Sequence, residues 1–150
     1  MIDIDELNRK ILSTLERDGR ISNTDLASKV GLSASACLRR VQEMERSGLI
    51  QGYRAVLDRK RLGQAITIFV MVGLKAHLRE DARAFERAME KASEVRECHN
   101  VTGAVEYLLR VEVPDLDAYK AFHADTLGVV PQVSSIQSFI ALGSPKDLRA

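Results

Sequence analysis

The sequence predicts an α+β protein in two parts, a winged-type helix-turn-helix domain over residues 1–63 and a ferredoxin-like βαββαβ domain over residues 64–150. Short amphipathic helical patterns separated by glycines fill the first part, whereas strand-like alternation and amphipathic helices follow one another in the second. The charge divides as well. Residues 1–63 hold 12 basic and 9 acidic side chains, and residues 64–150 hold 10 and 12. A basic first part and an acidic second part indicate separate tasks.

The first helix is predicted from an aliphatic stripe that ends near Asp18 and Gly19. Asp3 and Glu6 are placed to cap its N terminus. The stripe consists of Ile4, Leu7, Ile11, Leu12 and Leu15, which recur at the three- and four-residue spacing of one helix face.

The second helix is predicted from the capping-box spacing of Ser22 and Asp25, which starts it at Asn23. Its inward residues are Leu26, Ala27 and Val30. Gly31 tolerates a positive φ, so it ends this helix in the tight turn that a helix-turn-helix needs.

The third helix is predicted from Ala34 to about Arg46, with Ser33 as its cap and Gly48 as its end. Its core stripe is Cys37, Leu38, Val41 and Met44. The opposite face carries Ser35, Ala36, Arg39, Gln42, Glu43 and Arg46, with Arg40 on its flank. Small residues at the start let a backbone approach a groove, and arginine grips phosphate or guanine edges. An ordinary solvated face is the alternative, but the capped, glycine-turned context favours DNA binding.

The run LIQGYRAVLD after Gly48 is rich in apolar and β-branched residues and predicts a strand or wing. The basic cluster Arg59, Lys60 and Arg61 follows. Two interpretations of that cluster stay open, a contact with DNA phosphate and a solvated linker.

The second part begins with an alternating strand over residues 65–75, apolar on both faces. One face is Ile66, Ile68, Val70, Val72 and Leu74, and the other is Thr67, Phe69, Met71 and Gly73. A strand of this kind is covered by helices on one face, and we expect a second copy of the sheet on the other.

The remaining elements complete the βαββαβ order. A helix over 79–92 points Ala82, Phe85, Met89 and Ala92 inward, and strands over 95–101 and 105–113 flank a turn at Thr102 and Gly103. Pro114 and Asp115 open a helix with Leu116, Tyr119, Phe122 and Leu127 inward, and residues 133–142 form the last strand.

Composition limits the function classes. Two cysteines and the lack of a hydrophobic signal segment predict a cytoplasmic protein with no disulfide framework and no membrane span. Cys37 is expected in the core, and Cys98 and His99 lack further ligands at metal spacing, so neither a metal nor another cofactor is expected. No P-loop, dinucleotide fingerprint or nucleophile elbow is present, which argues against an enzyme.

Two segments, GRISNTDLASKVGLSASACLRRVQEMERSGLIQGYRAVLD and VTGAVEYLLRVEVPDLDAY, resemble the leucine-responsive/AsnC group of transcriptional regulators, the feast/famine proteins. The resemblance implies a homodimer formed through the βαββαβ domains, which assembles further into an octamer or similar disc that binds double-stranded DNA. It also implies a small effector, typically an amino acid, bound between dimers. DNA contacts would come from Ser22, Asn23, Ser33, Ser35, Ala36, Arg39 and Arg40.

The resemblance places the effector cleft at the turn after the second strand of the βαββαβ domain. The matching residues are Val101, Thr102, Gly103, Ala104 and Glu106, with Ser138, Phe139 and Ile140 from the last strand. Gly103 could expose backbone amides to the carboxylate of an amino acid and Glu106 could balance its ammonium. The chain departs from the frequent family turn at two acidic positions, where it carries Ala104 and Glu106.

Two alternatives remain from other classes of protein. One is a tetrapyrrole-binding decarboxylase of the same architecture, for which His99 is the candidate residue near the turn. The other is a DNA-compacting protein without sequence preference and without an effector.

Overall fold

A computed structural model describes residues 4–147. The chain divides into two compact units between Ala55 and Val56. The sequence places the boundary after residue 63, and the segment between these two positions forms neither helix nor strand.

From residue 4 onward the first unit is built from three helices, α1 over Glu6–Arg17, α2 over Asn23–Val30 and α3 over Ala34–Arg46. Its core consists of Ile11, Leu26, Ala27, Val30, Cys37 and Met44, with Leu12, Leu15 and Val41 packed beside them. The predicted bounds of α2 and α3 are confirmed, because the capping residues that the sequence identifies make the predicted bonds.

Those caps define the turn between α2 and α3. The Ser22 Oγ accepts from the Asp25 N–H at 3.0 Å, and the Ser33 Oγ accepts from the Ala36 N–H at 3.3 Å. Gly31 has φ 75°, a left-handed conformation that a side chain would strain.

Four expectations for the first unit are wrong. The N-cap of α1 is Asp5, whose carboxylate accepts from the Asn8 N–H at 2.7 Å; Asp3 lies outside the described residues, and Glu6 begins the helix. Ile4 and Leu38, which the sequence predicts in the core stripes, are 38% and 44% exposed, and Ile4 precedes the N-cap of α1. The run from residue 49 to 58 forms no strand, because no strand lies beside it in the described residues.

Within its described residues, which end at position 147, the second unit contains four strands and two helical segments. In chain order they are β1 (Ile66–Leu74), α4 (Arg79–Lys91), β2 (Val95–Asn100), β3 (Tyr107–Val113), α5 (Leu116–Ala121) with a π-helical continuation (Phe122–Leu127), and β4 (Val133–Ile140). The strands form one antiparallel sheet in the order β2-β3-β1-β4, the ferredoxin-like arrangement.

The helix-covered face of this sheet carries the core. Ile68, Val70 and Val72 are fully buried and stand opposite Val111, Leu109 and Tyr107 of β3. Phe85 and Met89 of α4, with Phe122 and Leu127, cover them. The burial of the first strand face is therefore as the alternation predicts.

Three details of the second unit differ from expectation. Leu116 is 54% exposed, because the first turn of α5 projects it away from the sheet. β3 begins at Tyr107, since residues 102–106 form a bend, in which the Glu106 N–H still donates to the Val72 carbonyl oxygen at 3.2 Å. β4 ends at Ile140, and Leu142 beyond it is exposed.

The other face of the sheet has no helix of this chain packed on it in the described contacts. Phe69 of β1 stands opposite Phe139 of β4 there, and Met71 stands opposite Leu108 of β3. Phe139 remains 47% exposed. This open face ends in a group of charged residues around Arg110 and Glu112.

Candidate nucleic-acid interface and ligand cleft

The start of α3 presents small and polar side chains to solvent. Ser33 and Ser35 are exposed and their Oγ atoms lie 3.3 Å apart. Ala36 is half-buried in the next position. A helix start with small side chains and hydroxyl donors can approach a phosphate or a base edge closely.

The beginning of α2 is tied to the beginning of α3 by side-chain bonds. The Asn23 Nδ2 donates to the Ala34 carbonyl oxygen at 2.8 Å. The Ser22 hydroxyl donates to the Asp25 carboxylate at 2.6 Å while it accepts from the same residue's N–H. Asn23 therefore holds the relative placement of the two helices, whereas Ser22 caps the start of α2.

The two adjacent arginines of α3 have different surroundings. Arg39 is exposed, and no hydrogen bond or ion pair within residues 4–147 engages its guanidinium. The Arg40 Nη1 donates to the Asp5 Oδ2 at 2.7 Å and to the Asn8 Oδ1 at 2.9 Å. Arg40 thus ties α3 to the start of α1.

The contact between Arg40 and Asp5 affects the pKa of the Asp5 carboxyl. The backbone N–H of Asn8 and then the Arg40 guanidinium hold its pKa below the usual 3.8. The carboxylate that caps α1 is therefore also the partner of an α3 arginine.

The basic cluster that follows the first unit is engaged within the second. The Arg59 Nε lies 3.6 Å from the Glu112 Oε2, and the Arg61 Nε lies 3.3 Å from the Asp58 Oδ2. Arg61 is 89% exposed and its pair is a weak surface pair, whereas the Glu112 carboxylate is buried.

A cleft of about 480 Å³ opens at the bend between β2 and β3. It brings together four residues of the predicted effector site, Val101, Thr102, Gly103 and Glu106. Gly103 has φ 137°, in the region that favours glycine. The other walls come from Leu74, the loop 76–78, Arg79 and Ala82 of α4, and Asn100, Val105 and Tyr107.

Among the described residues, Glu106 is the only acidic one that lines this cleft, and its carboxylate is anchored. The Oε2 accepts from the Leu74 N–H at 2.6 Å, and the Oε1 lies 3.2 Å from the His77 Nδ1. His77 is 82% exposed at the rim, and Arg79 adds a second basic side chain to the lining. The cleft therefore offers an acceptor beside two basic residues, which is the pattern a zwitterion requires.

Tyr107 forms the floor of the cleft. Its hydroxyl donates to the Glu86 Oε1 at 2.8 Å, and burial, with that carboxylate beside it, raises the pKa of Tyr107 to about 12. The ring packs on Phe85 with centroids 4.6 Å apart. The floor is thus a neutral, rigid surface at physiological pH.

Four predicted effector residues do not line this cleft within one chain. Ala104 is exposed on the bend, outside the lining. Ser138 stands opposite Val70 and its hydroxyl bonds that of Tyr119 on the helix side, whereas Phe139 lies on the open face. Ile140 ends β4 and is 48% exposed.

Sequence reasoning missed His77 and Arg79 as cleft residues. Neither stands in a motif, and the 32-residue separation between Leu74 and Glu106 hides the bond that anchors the cleft. Among the described residues no group of three or more His, Cys, Asp or Glu side chains could hold a metal ion. No helix within residues 4–147 has the length and apolar character to span a membrane.

The sequence matches two family models. Residues 4–51 match a winged helix-turn-helix DNA-binding model, and residues 67–150 match the Lrp/AsnC ligand binding domain. The Leucine-responsive regulatory protein of Escherichia coli is 39% identical over 144 residues, which are 96% of this chain and 88% of that protein.

Solved structures agree over the same span. An AsnC family transcriptional regulator from Agrobacterium tumefaciens superposes with a TM-score of 0.90 at 37% identity, covering 95% of this chain and 93% of that one. A transcriptional regulator from Neisseria meningitidis, solved as a complex with L-Met, superposes with a TM-score of 0.91 at 31% identity, covering 95% and 92%.

Proposed function

The chain belongs to the Lrp/AsnC family of transcriptional regulators, and on this premise we propose that it binds double-stranded DNA through α3 and adjusts that binding to an amino acid held in the cleft at Gly103. The observation that carries the proposal is the pairing of a capped helix-turn-helix with a separate unit that contains a zwitterion-compatible cleft.

DNA recognition is assigned to the exposed start and outer face of α3. Arg39 reaches a phosphate or a guanine edge, and Ser33, Ser35 and Ala36 allow the helix to enter the major groove. Ser22 and Asn23 position α2 on the DNA backbone, and Arg40 holds α3 against α1. One copy reads a half-site, so a dimer is needed for a full site.

Selection of duplexes from a random library, followed by fluorescence anisotropy, tests the DNA-binding part. We expect enrichment of a two-fold symmetric sequence whose affinity falls with salt. Salt-dependent binding without any enriched sequence would instead support the DNA-compacting alternative.

Effector binding is assigned to the cleft, with Val101, Thr102, Gly103 and Glu106 as its core. The carboxylate of the amino acid faces the Gly103 amide region and Arg79, and its ammonium faces the Glu106 Oε1. The relative from Neisseria meningitidis, solved with L-Met, supports an amino acid as the ligand class. Ala104 supplies no second carboxylate, so Glu106 alone answers the ammonium.

Thermal shift with each of the twenty amino acids tests this assignment. We expect at least one to raise the midpoint of the second unit, and Glu106→Gln to abolish the rise. Gly143→Ala, at an open position, is the matched control. A panel that leaves the midpoint unchanged would contradict an amino-acid effector.

Self-association is assigned to the open face of the sheet. Phe69, Met71, Leu108 and Phe139 form its apolar surface, which a second copy would cover. Ser138, Phe139 and Ile140 line no cleft with Gly103 in one chain, so their proposed role at an effector site depends on contacts between copies. Light scattering should give the molar mass of a dimer or a larger assembly, and Phe139→Glu should lower that molar mass.

The proposed regulator has no catalytic role and acts in the cytoplasm. The tetrapyrrole alternative is separated by one titration. A tetrapyrrole added to the protein should keep its own absorbance spectrum, whereas a shifted Soret band would favour the decarboxylase.

A further inference from the structure

The charged side chains of α3 differ in whether the protein itself engages them. The helix carries charges of both signs, at Arg39, Arg40, Glu43, Glu45 and Arg46. Arg40 is bonded to residues at the start of α1. The Glu45 Oε1 accepts from the Tyr53 hydroxyl at 2.9 Å. The Arg46 Nε donates to the Gln42 carbonyl oxygen at 3.2 Å, so three of the five charged side chains are held by the chain.

The other two, Arg39 and Glu43, are exposed and have no hydrogen bond or ion pair within residues 4–147. They stand four residues apart, which places them one turn apart on the same face of the helix. Opposite charges at this spacing often pair with each other, but these two do not pair in the described chain. The face assigned to DNA therefore holds a free guanidinium and a free carboxylate side by side.

A free carboxylate on a DNA-facing surface restricts which sequences can bind. DNA phosphates repel it, so the Glu43 carboxylate needs a hydrogen-bond donor at the position it reaches. In the major groove guanine and thymine present acceptors, and adenine has an acceptor beside its amino group. The N4 amino group of cytosine has no acceptor beside it on the same base. Cytosine is therefore the base that suits this carboxylate best.

The helix repeat limits where that cytosine can lie relative to the base contacted by Arg39. Four residues of an α-helix span about 6 Å along its axis. Successive base pairs of B-DNA are about 3.4 Å apart. In a helix that lies along the major groove, the two side chains reach base pairs one or two steps apart. Arginine pairs best with guanine, so a guanine and a cytosine are expected close together.

We propose that Glu43 is a specificity-determining residue for DNA binding, whose carboxylate accepts from the N4 amino group of a cytosine one or two base pairs from the guanine contacted by Arg39. The inference rests on the proposed placement of α3 in the major groove. Glu43 acts mainly by exclusion, because guanine and thymine at that position place an acceptor against its negative charge.

Selection from a random duplex library identifies the base that this position reads. Glutamine has nearly the size of glutamate but carries a donor and an acceptor, which match adenine. We expect the unaltered protein to enrich cytosine at one position of each half-site. We expect Glu43→Gln to enrich adenine there and to keep the guanine contacted by Arg39.

Fluorescence anisotropy at one salt concentration gives the size of the effect. Changing that cytosine to thymine, with its partner base, should raise the Kd of the unaltered protein at least about fivefold for each half-site. The same change should alter the Kd of Glu43→Ala less than about twofold. Glu43→Ala should also bind random-sequence DNA more tightly than the unaltered protein, because a negative charge has left the interface. Circular dichroism confirms that each variant is folded.

Glu45→Gln is the matched control, because it removes the same charge from the same helix. Glu45 lies about 120° around the helix from Arg39, and its carboxylate accepts from Tyr53. Its replacement should leave the cytosine preference intact. The comparison separates base recognition by Glu43 from a general effect of net charge on DNA affinity.

Three results would overturn the proposal. They are no cytosine enriched near the guanine by the unaltered protein, an undiminished cytosine preference in both Glu43 variants, and an equal loss of that preference in Glu45→Gln. With any of these results, loss of DNA affinity in Arg39→Ala would leave the proposed DNA face of α3 standing. Unchanged DNA affinity in Arg39→Ala would instead contradict both that face and this inference.

Discussion

Replacing each of the two adjacent arginines of α3 by alanine is expected to affect different properties, DNA affinity in one case and stability in the other. Arg39 is exposed and without an ion pair in the described chain, so its replacement is expected to remove the proposed DNA contact and little else. Arg40 is bonded to Asp5 and Asn8, so its loss first removes a tie between α1 and α3. The perturbation therefore separates DNA contact from helix positioning.

The magnitudes follow from these contacts. One arginine contact to a base edge contributes about 1–3 kcal/mol of binding free energy. Arg39→Ala should therefore raise the Kd for the duplex about 5- to 150-fold for each half-site contact that is lost. Because Arg39 is exposed, the same substitution should change the free energy of unfolding by less than about 0.5 kcal/mol. Arg40→Ala removes a charged donor from Asn8, which is 6% exposed, and should cost about 1.5–3 kcal/mol of unfolding free energy.

Anisotropy with the selected duplex and urea unfolding measure both quantities on the same preparations. Arg39→Lys adds a control, because lysine keeps a phosphate contact but not a bidentate guanine contact. Equal losses of DNA affinity and stability in both alanine variants would refute the division of roles. Unchanged DNA affinity in Arg39→Ala would refute the assigned DNA face.

Gly31→Ala should lower the free energy of unfolding by about 1–2 kcal/mol because φ is 75°, whereas Gly143→Ala should change it little; urea unfolding that ranks them equally would count against the turn geometry. The pKa of Asp5 is lowered from 3.8 by the Asn8 N–H and Arg40, so its stabilisation is present above about pH 4 and lost as pH falls through the lowered value; Asp5→Asn should flatten that acid limb of the unfolding curve. Cys98 is exposed, but desolvation of its thiol, with Glu86 and Glu90 nearby, raises its pKa to about 11, so iodoacetamide at pH 8 should alkylate it more slowly than the unfolded chain; equal rates would contradict this.

Most of the fold could be predicted from short-range sequence signals. Ser22, Gly31 and Ser33 act within three or four residues of themselves, so α2 and α3 could be predicted to the residue. The alternation of Ile68, Val70 and Val72 likewise identified the buried face of β1. Both patterns depend only on the helical and strand repeats.

The remaining structural features depend on contacts between residues far apart in sequence, which sequence patterns do not reveal. The run from residue 49 to 58 has strand-forming composition, but a strand requires a neighbour, and none lies beside it in the described residues. The pairing of Arg40 with Asp5 spans 35 residues and changes the expected role of that arginine. At the cleft, the anchoring of Glu106 by Leu74 and His77 depends on the packing of β1 against β3.

The most direct test of an amino-acid-responsive DNA-binding regulator is the Kd for the selected duplex, measured with and without the amino acid that stabilises the protein. We expect that amino acid to change the Kd of the unaltered protein and to leave the Kd of the Glu106→Gln variant constant. By linkage, the duplex should change the affinity for the amino acid by the same factor. Identical DNA isotherms with and without every amino acid, in a protein that binds the duplex, would contradict the account.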